Sequence, residues 1–62
     1  MFNLMLVRKK AKLTQTELAE KLNVTRGTIA NWESGTSNPN IEMLLELSRF
    51  FSVSVDYLIA KE

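Results

Sequence analysis

Residues 14–35, TQTELAEKLNVTRGTIANWESG, set two short helical patterns either side of a break too short to let them run parallel. Thr14 and Glu17 have the spacing of a capping box, in which a hydroxyl and a carboxylate each satisfy a backbone N–H at a helix start. The pattern they open runs to about Leu22, with Leu18, Ala19 and Leu22 inward and Leu13 placed ahead as a staple. Asn23 and Val24 interrupt it. Thr25 caps a second helix that ends near Ser34, with Gly35 beyond it. A three-residue break holds such a pair at a steep angle, so residues 15–34 form a helix-turn-helix unit. Ala19 lies at the crossing, where a larger side chain pushes the helices apart. Val24 plugs the turn and Ile29 anchors the second helix. Arg26, Gly27, Thr28 and Asn31 are left facing outward near its N-terminal end.

The flanking chain is helical too. Residues 3–12 put Leu4, Val7, Arg8 and Ala11 on one stripe. TSNPN (36–40) is a loop, because Pro39 bars helix continuation. Asn40 caps a helix from Ile41 to about Phe51 with Ile41, Leu44, Leu47 and Phe51 inward. Ser54 caps a last short helix, and Asp56 in its first turn suits the helix dipole. Only FFSVSV (50–55) alternates like a strand, and it is short. Each of the five helices falls below the ~12–15 residues at which isolated helices are even marginal in water. They persist only by sharing one core, so the expected fold is all-α, five helices in a single domain spanning 1–62.

Composition excludes more than it suggests. With no cysteine there is no disulfide or thiolate chemistry, which suits a reducing, cytoplasmic setting. With no histidine the commonest metal ligand and general base are missing. Glu17, Glu20, Glu33 and Asp56 form no evident acid–base pair, and no phosphate-binding glycine loop is present, so no enzyme, metal or cofactor is expected. No apolar run approaches a membrane span, and MFNLML lacks the flanks of a signal peptide. No small-molecule ligand is evident. The net charge is +1, but its halves differ. Residues 1–31 hold six cations against Glu17 and Glu20, a net +4; residues 32–62 hold Arg49 and Lys61 against five carboxylates, a net −3. Either one half faces a polyanion, or the asymmetry is a chance feature of the surface.

TQTELAEKLNVTRGTIANWESG resembles the helix-turn-helix of the lambda-repressor-like family, the Cro/repressor or XRE type, in the form T-Q-x-x-L-A-x-x-x-x-V-T-x-x-T-I-x-x-W-E-x-G. The likeness extends to LMLVRKKAKL (4–13) and to NPNIEMLLELSRFFSVSVDYLI (38–59). Two positions depart from the family pattern. Asn23 stands where glycine is frequent, and it tolerates the left-handed backbone a turn needs. Gly27 sits at a variable position of the second helix.

The resemblance implies that this second helix enters the DNA major groove with its N-terminal residues at base edges. Arg26 then pairs with guanine and Asn31 with adenine, Thr28 offers a hydroxyl and a methyl, and Gly27 gives clearance. Gln15 and Thr16 meet phosphate at the first helix's N-terminus, and Thr25 adds a contact to its role as cap. Ser34, Thr36 and Asn38 clamp the backbone from the other side. Considered singly, Arg26 and Asn31 also fit an ordinary solvated face, and Gly27 a tolerated glycine. Lys9, Lys10 and Lys12 read as general electrostatic attraction. Trp32 reads as core, and Glu33 as the ion-pair partner of Arg8, as in the family. Met5, Leu6, Met43, Phe50, Tyr57 and Ile59 fit no core stripe; they are scattered exposure or a dimer surface, with Tyr57, Ile59 and Phe50 the candidates.

The expected function is a sequence-specific, homodimeric transcriptional regulator, a repressor that occupies a double-stranded DNA operator. The alternative is an antitoxin-like or antagonist protein-interaction module on the same fold.

Overall fold

The computed structural model describes residues 2–60; Met1, Lys61 and Glu62 lie outside the described residues, and with them part of the charge asymmetry. Five helices follow one another: α1 (Phe2–Lys10), α2 (Gln15–Leu22), α3 (Arg26–Ser34), α4 (Ile41–Phe51) and α5 (Val55–Ile59). No strand occurs among the described residues.

The helices start where side chains take over orphaned backbone donors. Thr14 Oγ1 accepts from Glu17 N at 3.0 Å while the Glu17 carboxylate accepts from Thr14 N at 2.8 Å, closing the capping box. Thr25, Asn40 and Ser54 each accept from the backbone N–H three residues on. Each such cap contributes about 1 kcal/mol. The first four helices end alike, through a left-handed residue: Lys12 after α1, Asn23 after α2, Gly35 after α3 and Ser52 after α4. At Asn23 the backbone folds tightly enough that Val24 N donates to Ala19 O at 2.9 Å, which sets the α2–α3 angle.

Each helix contributes one fully buried aliphatic side chain: Leu4, Leu18, Ile29, Leu47 and Leu58. Val7, Ala19, Leu22 and Trp32 complete the buried cluster, and Leu13, Val24, Met43, Phe51 and Val53 pack against it. Because no helix has a core of its own, loss of one contact is felt by all five. Ala19 on α2 is buried, with little room for a larger side chain. Ala19→Leu is expected to cost about 1–3 kcal/mol by overpacking, read as a lower midpoint in urea denaturation.

Two sequence expectations need correction. Ile41 is 75% exposed rather than inward. At about 100° per residue it stands about 120° around α4 from the buried Leu47, at the first turn. Ala11 is exposed and lies in a turn, because α1 stops at Lys10 and Lys12 turns left-handed two residues later. The weakly alternating FFSVSV follows the expected helical reading: it is the end of α4, a left-handed turn at Ser52, the Ser54 cap and the start of α5. Sequence reasoning also passed over Asn3, which is buried in line with Leu4, Val7 and Arg8. Its Nδ2 donates to Tyr57 O at 2.6 Å, tying α1 to α5.

Among the described residues no helix is long and apolar enough to cross a membrane, and no cluster of acidic residues could hold a metal ion.

Candidate nucleic-acid interface

The surface of interest is where the first turns of α2 and α3 meet. Behind it lies the Arg8–Glu33 pair, whose side chains are 9% and 6% exposed. Arg8 Nε donates to Glu33 Oε2 at 2.6 Å and Nη2 to Oε1 at 3.2 Å, a two-pronged geometry that suits guanidinium and carboxylate. The remaining nitrogen, Nη1, donates to Leu13 O at 2.7 Å and so holds the chain entering α2.

Gln15 connects this pair to the outer surface. Its Nε2 donates to Glu33 Oε1 at 3.0 Å, and its Oε1 accepts from Arg26 Nη1 at 3.0 Å. The amide orientation follows from chemistry: an ionised carboxylate only accepts and a guanidinium only donates, so nitrogen must face Glu33 and oxygen Arg26. A continuous chain of charged and polar groups therefore runs from Arg8 through Glu33 and Gln15 to Arg26 on the first turn of α3. Sequence reading placed Gln15 at this edge but had no signal for the double bridge, which joins residues 11 and 18 positions away.

The outer face of α3 is small and open. Arg26, Gly27 and Asn31 are exposed and Thr28 is half-buried, its hydroxyl 2.9 Å from that of the cap Thr25. The Asn31 backbone carbonyl accepts from Ser34 Oγ and Ser37 N, leaving the side chain outward. Nothing inside the protein requires glycine at 27: a Cβ there would meet only Thr25 Oγ1, at 3.9 Å. Alanine at 27 is expected to raise stability by up to about 1 kcal/mol through helix propensity. If the glycine provides clearance for an approaching duplex, the same variant binds DNA more weakly; paired melting and binding curves test both halves.

Beyond α3, Ser34 Oγ lies 2.9 Å from Thr36 Oγ1, forming a polar shelf, and Asn38 is exposed next to the buried Pro39. At the other edge, the first-turn N–H groups of Gln15 and Thr16 have no partner within their own helix. Thus Gln15, Arg26 and Glu33 are drawn together directly, whereas Ser34, Thr36 and Asn38 form a separate rim at the far end of α3.

Tyr57 lines a groove with Val7, Lys10, Ala11, Phe51 and Val53. Phe50 lines another, beside Lys21, Leu22, Glu46 and Arg49. Ile59 is 52% exposed at the end of α5, while Met43 packs on the core.

A family model described as helix-turn-helix matches residues 4–58. Over 50 residues the chain is 52% identical to the HTH-type transcriptional activator BcrR of Enterococcus faecalis, a match covering 81% of this chain and 24% of that protein. It is 44% identical over 55 residues to the HTH-type transcriptional regulator ImmR of Bacillus subtilis (strain 168), covering 89% of this chain and 43% of the relative. It is 40% identical over 52 residues to Repressor protein C2 of Salmonella phage P22, covering 84% and 24% respectively. The chain thus spans less than half the length of each of these relatives.

Proposed function

We propose that this chain, which belongs to the helix-turn-helix family in its lambda-repressor-like, XRE-type form, is a single DNA-binding domain that regulates transcription by reading double-stranded DNA with α3. The observation that carries this reading is the outer face of α3. It is exposed, small and unneeded by the core, yet its leading arginine is held by Gln15 in a chain of hydrogen bonds that begins inside the fold. Such support is what a group reading base edges needs, because each good bidentate contact yields ~1–3 kcal/mol of discrimination only when correctly aimed. In this reading Arg26 and Asn31 are the readers. Thr28 is an adaptable neighbour, and Thr16, Thr25, Ser34, Thr36 and Asn38 with the remaining N–H of Gln15 hold phosphates.

The regulator acts as a homodimer and represses by occupying its operator. Tyr57 and Ile59 on α5 are the proposed contact between copies, both half-exposed. A protomer 24 Å in its longest dimension fits the ~34 Å between successive major-groove faces when two copies lie side by side and their α3 helices sit away from the shared axis. The relatives include a named activator as well as a named repressor.

Selection from a random-sequence duplex pool at fixed salt tests the proposal. Enrichment of one near-palindromic sequence is the expected result. Failure to enrich any sequence refutes specific recognition, and an enriched site without symmetry refutes the dimer.

A further inference from the structure

Ile41 is 75% exposed, the most exposed large hydrophobic among the described residues, and neither the core nor the outer face of α3 accounts for it. Leu45, one turn on, is 44% exposed. At about 100° per residue, Leu44, Leu45 and Ser48 lie within about 60° of Ile41 around α4, so the four make one stripe. Leu44 and Ser48 are half-buried in it. The Ser48 hydroxyl donates to Val53 O, so its one donor is satisfied within the fold. Charge flanks the stripe on one side. Glu42 and Arg49 stand about 80–100° from Ile41 in the same sense, and about 10 Å from each other along the helix axis. Both are exposed, and neither makes an ion pair among the described residues.

Such a helix is complementary to a second copy of itself run backwards. An apolar stripe meets an apolar stripe, and a flank with an acid at one end and a base at the other meets its opposite. We propose that two copies of this chain pair their α4 helices antiparallel about a two-fold axis level with Leu45 and Glu46. Glu42 of each copy then stands opposite the partner's Arg49. Leu45 meets its own counterpart at the axis, and Ile41 lies over the small side chain of the partner's Ser48. Area favours the same occupant. A standard interface takes ~800 Å² from each partner, and the half-exposed Tyr57 and Ile59 fall well short of that alone. Because α4 packs on α5, the stripe extends that contact about one shared axis. The inference rests on the homodimer reading above and goes beyond it by naming a second contact, its direction and the charges that fix its register.

The test is sedimentation equilibrium of the free chain and of the chain on a duplex carrying the selected site. Trp32 fluorescence in urea, followed at concentrations below self-association, checks that each variant keeps its fold. Glu42→Arg and Arg49→Glu each turn two attractive pairs into two repulsive ones, so each alone should weaken self-association roughly tenfold. An equal mixture of the two variants should recover nearly wild-type association, because each mixed pair places Arg against Glu at both ends. Leu45→Glu, which sets two carboxylates together at the axis, should weaken association at least as much and gain nothing from mixing. Single variants that associate like wild type, or a mixture without recovery, overturn the α4 pairing. If Tyr57→Ala weakens association while the α4 variants do not, the homodimer stands on α5 alone and the α4 pairing is overturned. An Ile41→Ser variant that loses duplex affinity with self-association intact gives the stripe to DNA and overturns it too. A wild-type chain that stays monomeric both free and on the duplex overturns the homodimer reading, and the α4 pairing with it.

Discussion

Glu33→Ala should lose most of the stability of the fold. The variant leaves the Arg8 guanidinium buried without its carboxylate and removes the acceptor of Gln15 Nε2. Removing one partner of a buried pair costs about 3–5 kcal/mol. A chain of 62 residues has only about 3–9 kcal/mol in total at ordinary stability per residue. The single tryptophan, Trp32, is buried in the core, so its fluorescence in urea reports the transition directly. The expected midpoint falls close to zero denaturant. Arg8→Met combined with Glu33→Leu should recover much of the loss, since a matched apolar pair leaves no buried charge. A Glu33→Ala midpoint equal to wild type would show that the pair is solvated and contributes little.

Arg26→Ala should do the opposite: leave melting nearly unchanged and relax base preference at one position. The side chain is exposed and its bond to Gln15 is an exposed one, so the fold loses little. Discrimination at that base pair should drop by about 1–3 kcal/mol, roughly 5- to 150-fold in relative affinity. Lysine should not restore it, because a point charge lacks the planar fork that matches guanine O6 and N7. The measurement is competition binding against the selected site and its single-base variants. Undiminished preference at every position would remove Arg26 from the readers. The contrast between the two variants follows from the position of α3, whose inner residues lock the core while its outer first turn stays free.

The boundaries of α2 to α5 were legible because capping is local chemistry. A threonine, asparagine or serine accepts the N–H three residues ahead whatever the rest of the fold does, as at Thr14, Thr25, Asn40 and Ser54. The α2–α3 turn was legible for a similar reason: few residues besides glycine accept the conformation found at Asn23, and Asn is one of them. Ile41 misled because periodicity reports which residues share a face, and it does not report which part of that face a neighbour covers. Ala11 misled because the end of α1 depends on a left-handed lysine, a residue type with no such preference. Asn3 and the double bridge of Gln15 depend on contacts between distant parts of the chain. The outward set on α3 was assigned from the inward positions of Ile29 and Trp32, and those two residues are buried.

The most direct test of the central claim is a titration of the labelled chain with its selected duplex, following backbone and side-chain amide resonances. Saturable shifts are expected at Gln15 and Thr16, across Arg26 to Asn31 and at Ser34, Thr36 and Asn38. The Gln15 side-chain amide should be among the largest, since it holds Arg26 where that residue meets a base. Shifts confined to the grooves around Tyr57 and Phe50, with the outer face of α3 unmoved, would contradict it.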